Sequence, residues 1–236
     1  GYEKVKESFF NWEYAQKALP SVFQGLLLNL RVLIIAEFFV LLIGLLIAIA
    51  RTTTSPVLYP VRLVATIYTD LFRGLPLLLV LLLVGLGIPG LRISWVPNSA
   101  VVLGTVALVL TYSAYVAEVI RAGIEGVNPT QRQAARALGL SQAQTLEHVV
   151  LPQAFRNVTP PLLNDLVSLQ KDSGLISVLG AVDAIRAAGI QTAQSFNFTP
   201  YLVAGALFVL LTIPLTRFTD WLTRRQDSKQ RAQGQW

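Results

Sequence analysis

Apolar residues run through this chain in long blocks, not at the alternating or 3.6-residue spacing of half-buried elements in a soluble domain. Crossing a hydrocarbon core of about 30 Å takes roughly 20 mainly apolar helical residues. Five blocks meet that length, at about 22–50, 60–88, 99–122, 160–181 and 200–222. In the first, Asn29, Arg31 and Glu37 leave only Phe38 to Ala50 purely apolar, which predicts a tilted or neighbour-shielded crossing. The fourth is interrupted by Asn164, Asp165, Ser168, Gln170, Lys171 and Asp172, and hydropathy alone does not decide it. Pro76, Pro89, Pro161 and Pro214 lie in or beside the blocks; each either kinks a helix or marks its end. Residues 1–20 mix Phe9, Phe10, Trp12 and Tyr14 with Lys4, Lys6, Glu7, Glu13 and Lys17. They lack the apolar run of a secretory signal and read as an interfacial amphipathic helix. At the other end, residues 227–236 form a polar tail, and fraying is expected from Arg224 onward.

Composition supports this picture. Of 236 residues, 53% are hydrophobic and 14% charged, against about 25% charged in soluble domains, which excludes an ordinary soluble enzyme. The net charge of +6 first suggests a nucleic-acid partner. The basic residues, however, are divided among loops, with no aromatic platform on which bases could stack. Sorted over five crossings, with Arg62, Arg121 and Arg217 counted at the block ends and Arg31, Arg73 and Lys171 left out as within the blocks, eleven Lys and Arg fall on one side and five on the other. The richer side, with segment 123–159 and the C-terminus, is read as cytoplasmic, and the N-terminus as external. Trp12, Trp95 and Trp221 suit interfacial belts. There is no cysteine and a single histidine, His148, so disulfides, thiolate chemistry and His or Cys metal clusters are excluded. There is no methionine either, so the chain is expected to lack its initiator residue.

The segment between the third and fourth blocks is the most informative. It runs from Asn128 to Pro152 and contains two short helices. Thr130 is a cap for the first, which runs to Leu138, and Gly139 suits the left-handed position that ends a helix. Ser141 is a cap for the second, and Pro152 sets its limit. Ala134, Ala135 and Ala137 form a low-relief face on which another backbone can sit, which makes this bent pair a docking surface.

The spacing Gln133-Ala134-Ala135-x3-Gly139-x9-Val149-x-Leu151-Pro152 resembles the EAA loop of binding-protein-dependent ABC importer permeases. Gln133 stands where that family usually has Glu, and Val149 where it usually has Ile, so a salt bridge at position 133 is not available. The stretch Phe72-Arg73-Gly74-Leu75-Pro76 is similar to the Arg-Gly-Thr-Pro segment of the polar amino-acid permeases. Residues 113–124, 168–175 and 211–217 resemble further segments of that subfamily, and the likeness covers about 20–226. It implies an all-α integral membrane protein of the type I ABC importer permease class, with five transmembrane helices and a cytoplasmic coupling-helix loop at about 127–155. The resemblance further implies pairing with a second, identical or homologous permease. Two cytoplasmic ATPase subunits would dock on Gln133, Ala134, Ala135, Gly139, Leu151 and Pro152, and an external binding protein would deliver the amino acid. The chain has no Gly-x4-Gly-Lys-Ser/Thr loop for phosphates. ATP and Mg are therefore expected on the partner subunits, with no cofactor on this chain and no enzymatic step of its own. The expected location is a bacterial inner membrane.

Ionisable residues within a bilayer cost about 2.5–3.5 kcal/mol on insertion scales and usually pair internally or line a cavity. Asp70 with Arg73, and Glu118 with Arg121, are spaced i,i+3 and either neutralise each other or serve a pathway. Lys171 and Asp172 are neighbours in sequence, so their side chains diverge on a helix and need partners elsewhere. A zwitterionic amino acid needs a cation for its carboxylate and an anion or carbonyls for its ammonium. Arg73 and Lys171 are candidates for the first role, Glu118 and Asp172 for the second, and Ser113, Tyr115 and Gln170 for orienting a polar side chain. A cationic pathway favours glutamate or glutamine over basic amino acids. Glu37 reads as a helix–helix contact and His148 as part of the docking surface. Intramembrane charges would also suit an ion-coupled carrier or gated channel. Five crossings are few for inverted-repeat carriers, and the bent loop has no purpose there.

Overall fold

The computed structural model describes residues 1–53, 55–94 and 96–233, with side chains to residue 226 at the C-terminal end. Trp95, residues 234–236 and the side chains of Lys229 and Arg231 lie outside the described residues. Among the described residues the chain is helical, with no strand.

Helix α1 spans Tyr2–Phe9 and buries no residue. Helix α2 then runs unbroken from Trp12 to Thr52, with Pro20 inside it. The amphipathic segment therefore separates from the first crossing at Phe10–Asn11 rather than at residue 20. At 1.5 Å per residue, the 41 residues of α2 extend about 60 Å, twice the hydrocarbon core. Helix α3 (Tyr59–Gly74) and helix α4 (Leu77–Leu82) divide the second predicted block. Pro76 disfavours helical backbone at Leu75 and is itself extended, with ψ 132°. A π-turn at Leu83–Gly87 and a short turn at Ile88–Gly90 complete the block.

Helix α5 (Ala100–Glu125) is the third block. Helices α6 (Pro129–Ala137) and α7 (Gln142–Thr145) form the polar segment. Helix α8 (Leu151–Asp172), with a 3₁₀ extension at Ser173–Leu179, is the fourth block and carries Pro160 and Pro161 inside it. Helix α9 (Ala184–Ser195) has no counterpart among the predicted elements. Helix α10 (Thr199–Gln233) is the fifth block and continues as helix beyond Arg224, where fraying was expected. Among the described residues three helices, within Tyr2–Thr52, Ala100–Glu125 and Thr199–Gln226, are each long and apolar enough to cross a membrane. Five crossings result if each broken pair, Pro56–Gly74 with Leu77–Gly90 and Gln142–Leu179 with Ala184–Ser195, counts as one.

The chain divides into two compact units. The first comprises Gly1–Phe38, Leu75–Thr111 and Val167–Leu215. Its core sets Ala18, Val22 and Leu26 of α2 against Ala184, Ala187 and Ala188 of α9 and Ala204 of α10. Small side chains bring the backbones close: a Cβ on Gly25 would lie 2.3 Å from the Asp183 carbonyl carbon, so no other residue fits there. The N-terminal segment is clipped to the turn before α10. Asn197 donates to the Glu7 carbonyl at 2.7 Å, and the Phe198 N–H donates to the Ser8 carbonyl at 2.8 Å. The Phe9 and Phe198 rings stack with centroids 5.2 Å apart.

The second unit comprises Phe39–Gly74, Tyr112–Leu166 and the chain from Thr216 onward. Here too α5 and α8 meet at a glycine. A Cβ on Gly123 would stand 2.1 Å from Val158 Cγ1. Val127, Val150 and Ala154, with Ile124 against them, form a small core beneath the polar segment.

Candidate functional site

The polar segment is a bent helix pair, as its sequence suggests, but with other caps. Asn128 rather than Thr130 caps α6: its side chain accepts from the Thr130 N–H at 2.9 Å, and Pro129 takes the first helical position. Gly139 has φ +84°, the left-handed backbone that other residues adopt only with strain, and open space surrounds its Cβ position. Ser141 caps α7 in a capping box with Gln144, with hydrogen bonds of 3.2 and 2.9 Å. Pro152 does not end this helix. A π-turn at Leu146–Val150 leads straight into α8, where Pro152 occupies the first turn, a position that needs no N–H donor.

Gln133, Ala134, Ala137, Leu138 and Gly139 are exposed, as are Leu151, Pro152 and His148. Leu138 is 84% exposed, an apolar side chain presented beside the bend. Ala135 is buried, so it packs α6 inward and is not part of the outer face. An i,i+1 pair on a helix points about 100° apart, so Ala134 and Ala135 cannot share one face.

Four of the predicted pathway residues come together in the second unit. Glu118, on α5, is the centre of an arginine cluster. Its carboxylate accepts from Arg51 Nη1 at 2.7 Å, from Arg121 one turn on, and lies 3.7 Å from Arg73 Nη1. Arg121 also pairs with Glu125. The i,i+3 pairing of Glu118 with Arg121 is present as anticipated. Arg73 turns to Glu118, while Asp70 is exposed. Three guanidiniums against two carboxylates leave a net positive charge. The side chains of Arg51 and Arg121 are 11% and 27% exposed and that of Arg73 40%, so Arg73 is the open cation of the group.

Arg51, one residue beyond the first apolar block, is a member of the cluster that the sequence did not indicate. Its place at the cluster depends on a contact 67 residues distant, for which local spacing carries no signal. Ser113 is fully buried and shares a 2.7 Å hydrogen bond with the Tyr68 hydroxyl, a partner the sequence did not indicate. Tyr115 is 39% exposed, and its hydroxyl donates to the Arg73 carbonyl at 3.5 Å. The tyrosine thus bridges the backbone of α3 and the surface of α5.

Gln170, Lys171 and Asp172 belong to the other unit. Gln170 is 1% exposed; its Oε1 lies 2.7 Å from the Thr212 hydroxyl, and its Nε2 is buried without a hydrogen-bond partner. Lys171 is exposed and Asp172 half-buried, the divergence expected of neighbours on a helix. Nearby in sequence is a polar lock that the sequence reading missed. Asn29 donates to Asp183 at 3.1 Å and to the Ser173 carbonyl at 3.0 Å, and accepts from the Ala184 N–H at 3.1 Å. Asp183, fully buried, caps α9 by accepting from the Arg186 N–H at 2.8 Å. Glu37 is half-buried on α2. No group of three His, Asp or Glu able to hold a metal ion occurs among the described residues.

Residues 41–228 match the family model described as "Binding-protein-dependent transport system inner membrane component". A Rickettsia conorii chain provisionally named glutamine transport system permease protein GlnP is 38% identical over 206 residues, covering 86% of this chain and 92% of that one. The arginine transport system permease protein ArtQ of Bacillus subtilis is 33% identical over 204 residues, covering 84% and 89%. Among solved structures, the crystal structure of an amino acid ABC transporter with histidines superposes with a TM-score of 0.83 at 34% identity, covering 91% of this chain and 98% of that one. The inward-facing MetNI methionine ABC transporter shares the fold at 20% identity, with a TM-score of 0.68 over 87% of this chain and 95% of that one.

Proposed function

This chain belongs to the binding-protein-dependent transport system inner membrane components, and from that premise we propose that it carries a polar or charged amino acid across the membrane for an ATP-driven importer. As the membrane component it is a multi-pass permease and not the ATPase; ATP hydrolysis belongs to a separate subunit, and a binding protein serves the system. Relatives named for glutamine and arginine support an amino-acid substrate.

The observation that carries the substrate reading is the posture of Arg73. Glu118 orients it from 3.7 Å without consuming it, and its side chain stays 40% exposed. An open guanidinium beside Tyr115 is suited to a substrate carboxylate, which it binds with two donors. Glu118 itself is already committed to arginines, so its part is to hold the cluster rather than to meet the ammonium. Ser113, engaged by Tyr68, supports the wall. In the other unit, exposed Lys171 and half-buried Asp172 are the charges we assign to passage, and Gln170 is the polar group held ready by Thr212. The cationic character favours glutamate or glutamine.

We assign the coupling role to the bend at Gly139, with Gln133, Ala134, Leu138 and Leu151 as its exposed surface and Ala135 and Pro152 supporting its form. It would meet one of two ATPase subunits, while a second permease, identical or homologous, meets the other. ATP and Mg stay on those partners. The positive-inside bias supports a cytoplasmic bend and C-terminus and an external N-terminus. The deciding experiment is an amino-acid uptake panel on the complete complex in proteoliposomes. Glutamine or glutamate should be taken up and compete with each other; uptake confined to apolar amino acids would refute the polar-substrate reading.

A further inference from the structure

Helix α6 has two faces. Gln133 and Ala134 are exposed on the outer one. Arg132 and Ala135, three residues apart and so on one side of the helix, turn the other way; Ala135 is 4% exposed and Arg132 half-buried. The Arg132 guanidinium reaches back to α5, where Nη2 donates to the carbonyl of Ile124, the penultimate residue of that helix, at 2.8 Å. The last four carbonyls of a helix have no partner within it, and their partial negative charge suits a cation.

These carbonyls are met from both sides of the bend. That of Ala122 accepts from the Gly126 N–H at 2.8 Å, and that of Gly123 from the Asn157 side-chain amide at 3.5 Å. That of Ile124 accepts from Arg132 and, at 3.5 Å, from the Val127 N–H. Arg132 belongs to α6, before the bend, and Asn157 to α8, after it. Both roots of the bent segment are thus fastened to the same end of α5, and Ile124 also packs on the small core of Val127, Val150 and Ala154. The Nε of Arg132 is buried without a hydrogen-bond partner. A buried donor left unmet subtracts from the gain of the bond that is made, so the geometry favours the reach from α6 to Ile124 over full satisfaction of the guanidinium.

From Ile124 the helix leads to the arginine cluster. Arg121 lies one turn before it and Glu118 six residues before it, about 9 Å along the axis at 1.5 Å per residue. No proline interrupts α5, so this stretch has no hinge. Arg121 pairs with Glu118 and Glu125, and Glu118 holds Arg51 and stands 3.7 Å from Arg73. Coupling between separated sites is carried by packed elements and hydrogen bonds of this kind. We propose that Arg132 is a positioning residue for transport. It passes a displacement of the bend to the end of α5, and α5 passes it to Glu118 and Arg73. This rests on the coupling role assigned above to the bend.

The test uses the complete importer in proteoliposomes. The chain has no cysteine, so Gln142→Cys in the bend and Ala122→Cys on α5, both at exposed positions, can each carry an environment-sensitive fluorophore. In the wild-type background both probes should respond to ATP. Arg132→Met, which keeps an unbranched apolar stem and removes the donors, should leave the Gln142 probe responsive. It should lower the Ala122 response and glutamine uptake at least fivefold. Arg132→Lys, which keeps a cationic donor, should restore at least half of both. An Ala122 response and uptake within twofold of wild type in Arg132→Met would overturn the proposal. So would loss of both probe responses in that variant with no recovery in Arg132→Lys, since Arg132 would then only hold the fold together. A silent Gln142 probe in the wild-type background would instead refute the coupling role of the bend, and the proposal with it.

Discussion

Glu118 Oε2 accepts a hydrogen bond from Arg51 Nη1 at 2.7 Å, across 67 residues of chain, and the same oxygen lies 3.7 Å from Arg73. One carboxylate thus ties the end of α2 and the end of α3 to the C-terminal third of α5. Isolated, each of these charges would cost about 2.5–3.5 kcal/mol within a membrane. Together they offset most of that cost and leave Arg73 oriented.

Replacing Glu118 by Gln should therefore leave Arg51 and Arg73 without their carboxylate, while Arg121 keeps Glu125. The expected loss is about 1.5–3 kcal/mol, the range for hydrogen bonds to charged groups, with a lowered unfolding temperature in detergent. Uptake should fall at least tenfold. Glu118→Asp should recover part of both. Unchanged melting in Glu118→Gln would show that the cluster contributes nothing to stability.

At Gly139 the backbone, not the space, limits substitution, since φ is +84° and nothing lies within 4 Å of the Cβ position. Left-handed backbone costs most residues about 1–2 kcal/mol, with Asn among the least affected. Gly139→Val should uncouple ATP hydrolysis from uptake, Gly139→Ala should do so partly, and Gly139→Asn should remain near wild type. Parallel measurement of both rates checks this order. Equal coupling in all three would remove the bend from the mechanism.

Much of this was legible in the sequence, because the signals are local. Block length predicted the crossings; Gly139 and Ser141 predicted the bend and its second cap; i,i+3 spacing offered both Glu118 with Arg121, which pair, and Asp70 with Arg73, where Arg73 turns to Glu118 instead. What stayed hidden depends on distant partners. Arg51 could not be assigned to Glu118, nor Asn29 to Asp183, since nothing in their neighbourhoods encodes a contact across the fold. Thr130 has the residue type of a cap, but Asn128 caps α6 because Pro129 occupies the first helical position. Helix α9 was overlooked because its Ala-rich sequence is too short and mixed to stand out beside the apolar blocks. Its cap, Asp183, was the available clue.

The Asn29–Asp183 lock gives a third expectation. Asp183→Ala removes the α9 cap and leaves buried Asn29 with an unmet donor. That should cost about 1–3 kcal/mol, read as a lower unfolding temperature and faster proteolysis near residues 180–196. Asp183→Asn, which keeps a carbonyl oxygen for the cap, should lose less. Identical losses would mean that the negative charge, not the cap, matters.

Charge-neutral replacements at Lys171 and Asp172 are expected to lower substrate-stimulated turnover severalfold while the complex still assembles. Size-exclusion profiles and ATPase rates with and without substrate separate the two effects. Unaltered kinetics would leave both residues as structural.

The central claim is that this permease is driven by ATP through the bend at Gly139. It is tested most directly by uptake of labelled glutamine into proteoliposomes holding the permease, its ATPase and its binding protein. Uptake should require ATP on the side of the bend, persist when ionophores collapse all ion gradients, and vanish in Gly139→Val while hydrolysis continues. Uptake that runs on an ion gradient without ATP would contradict the account.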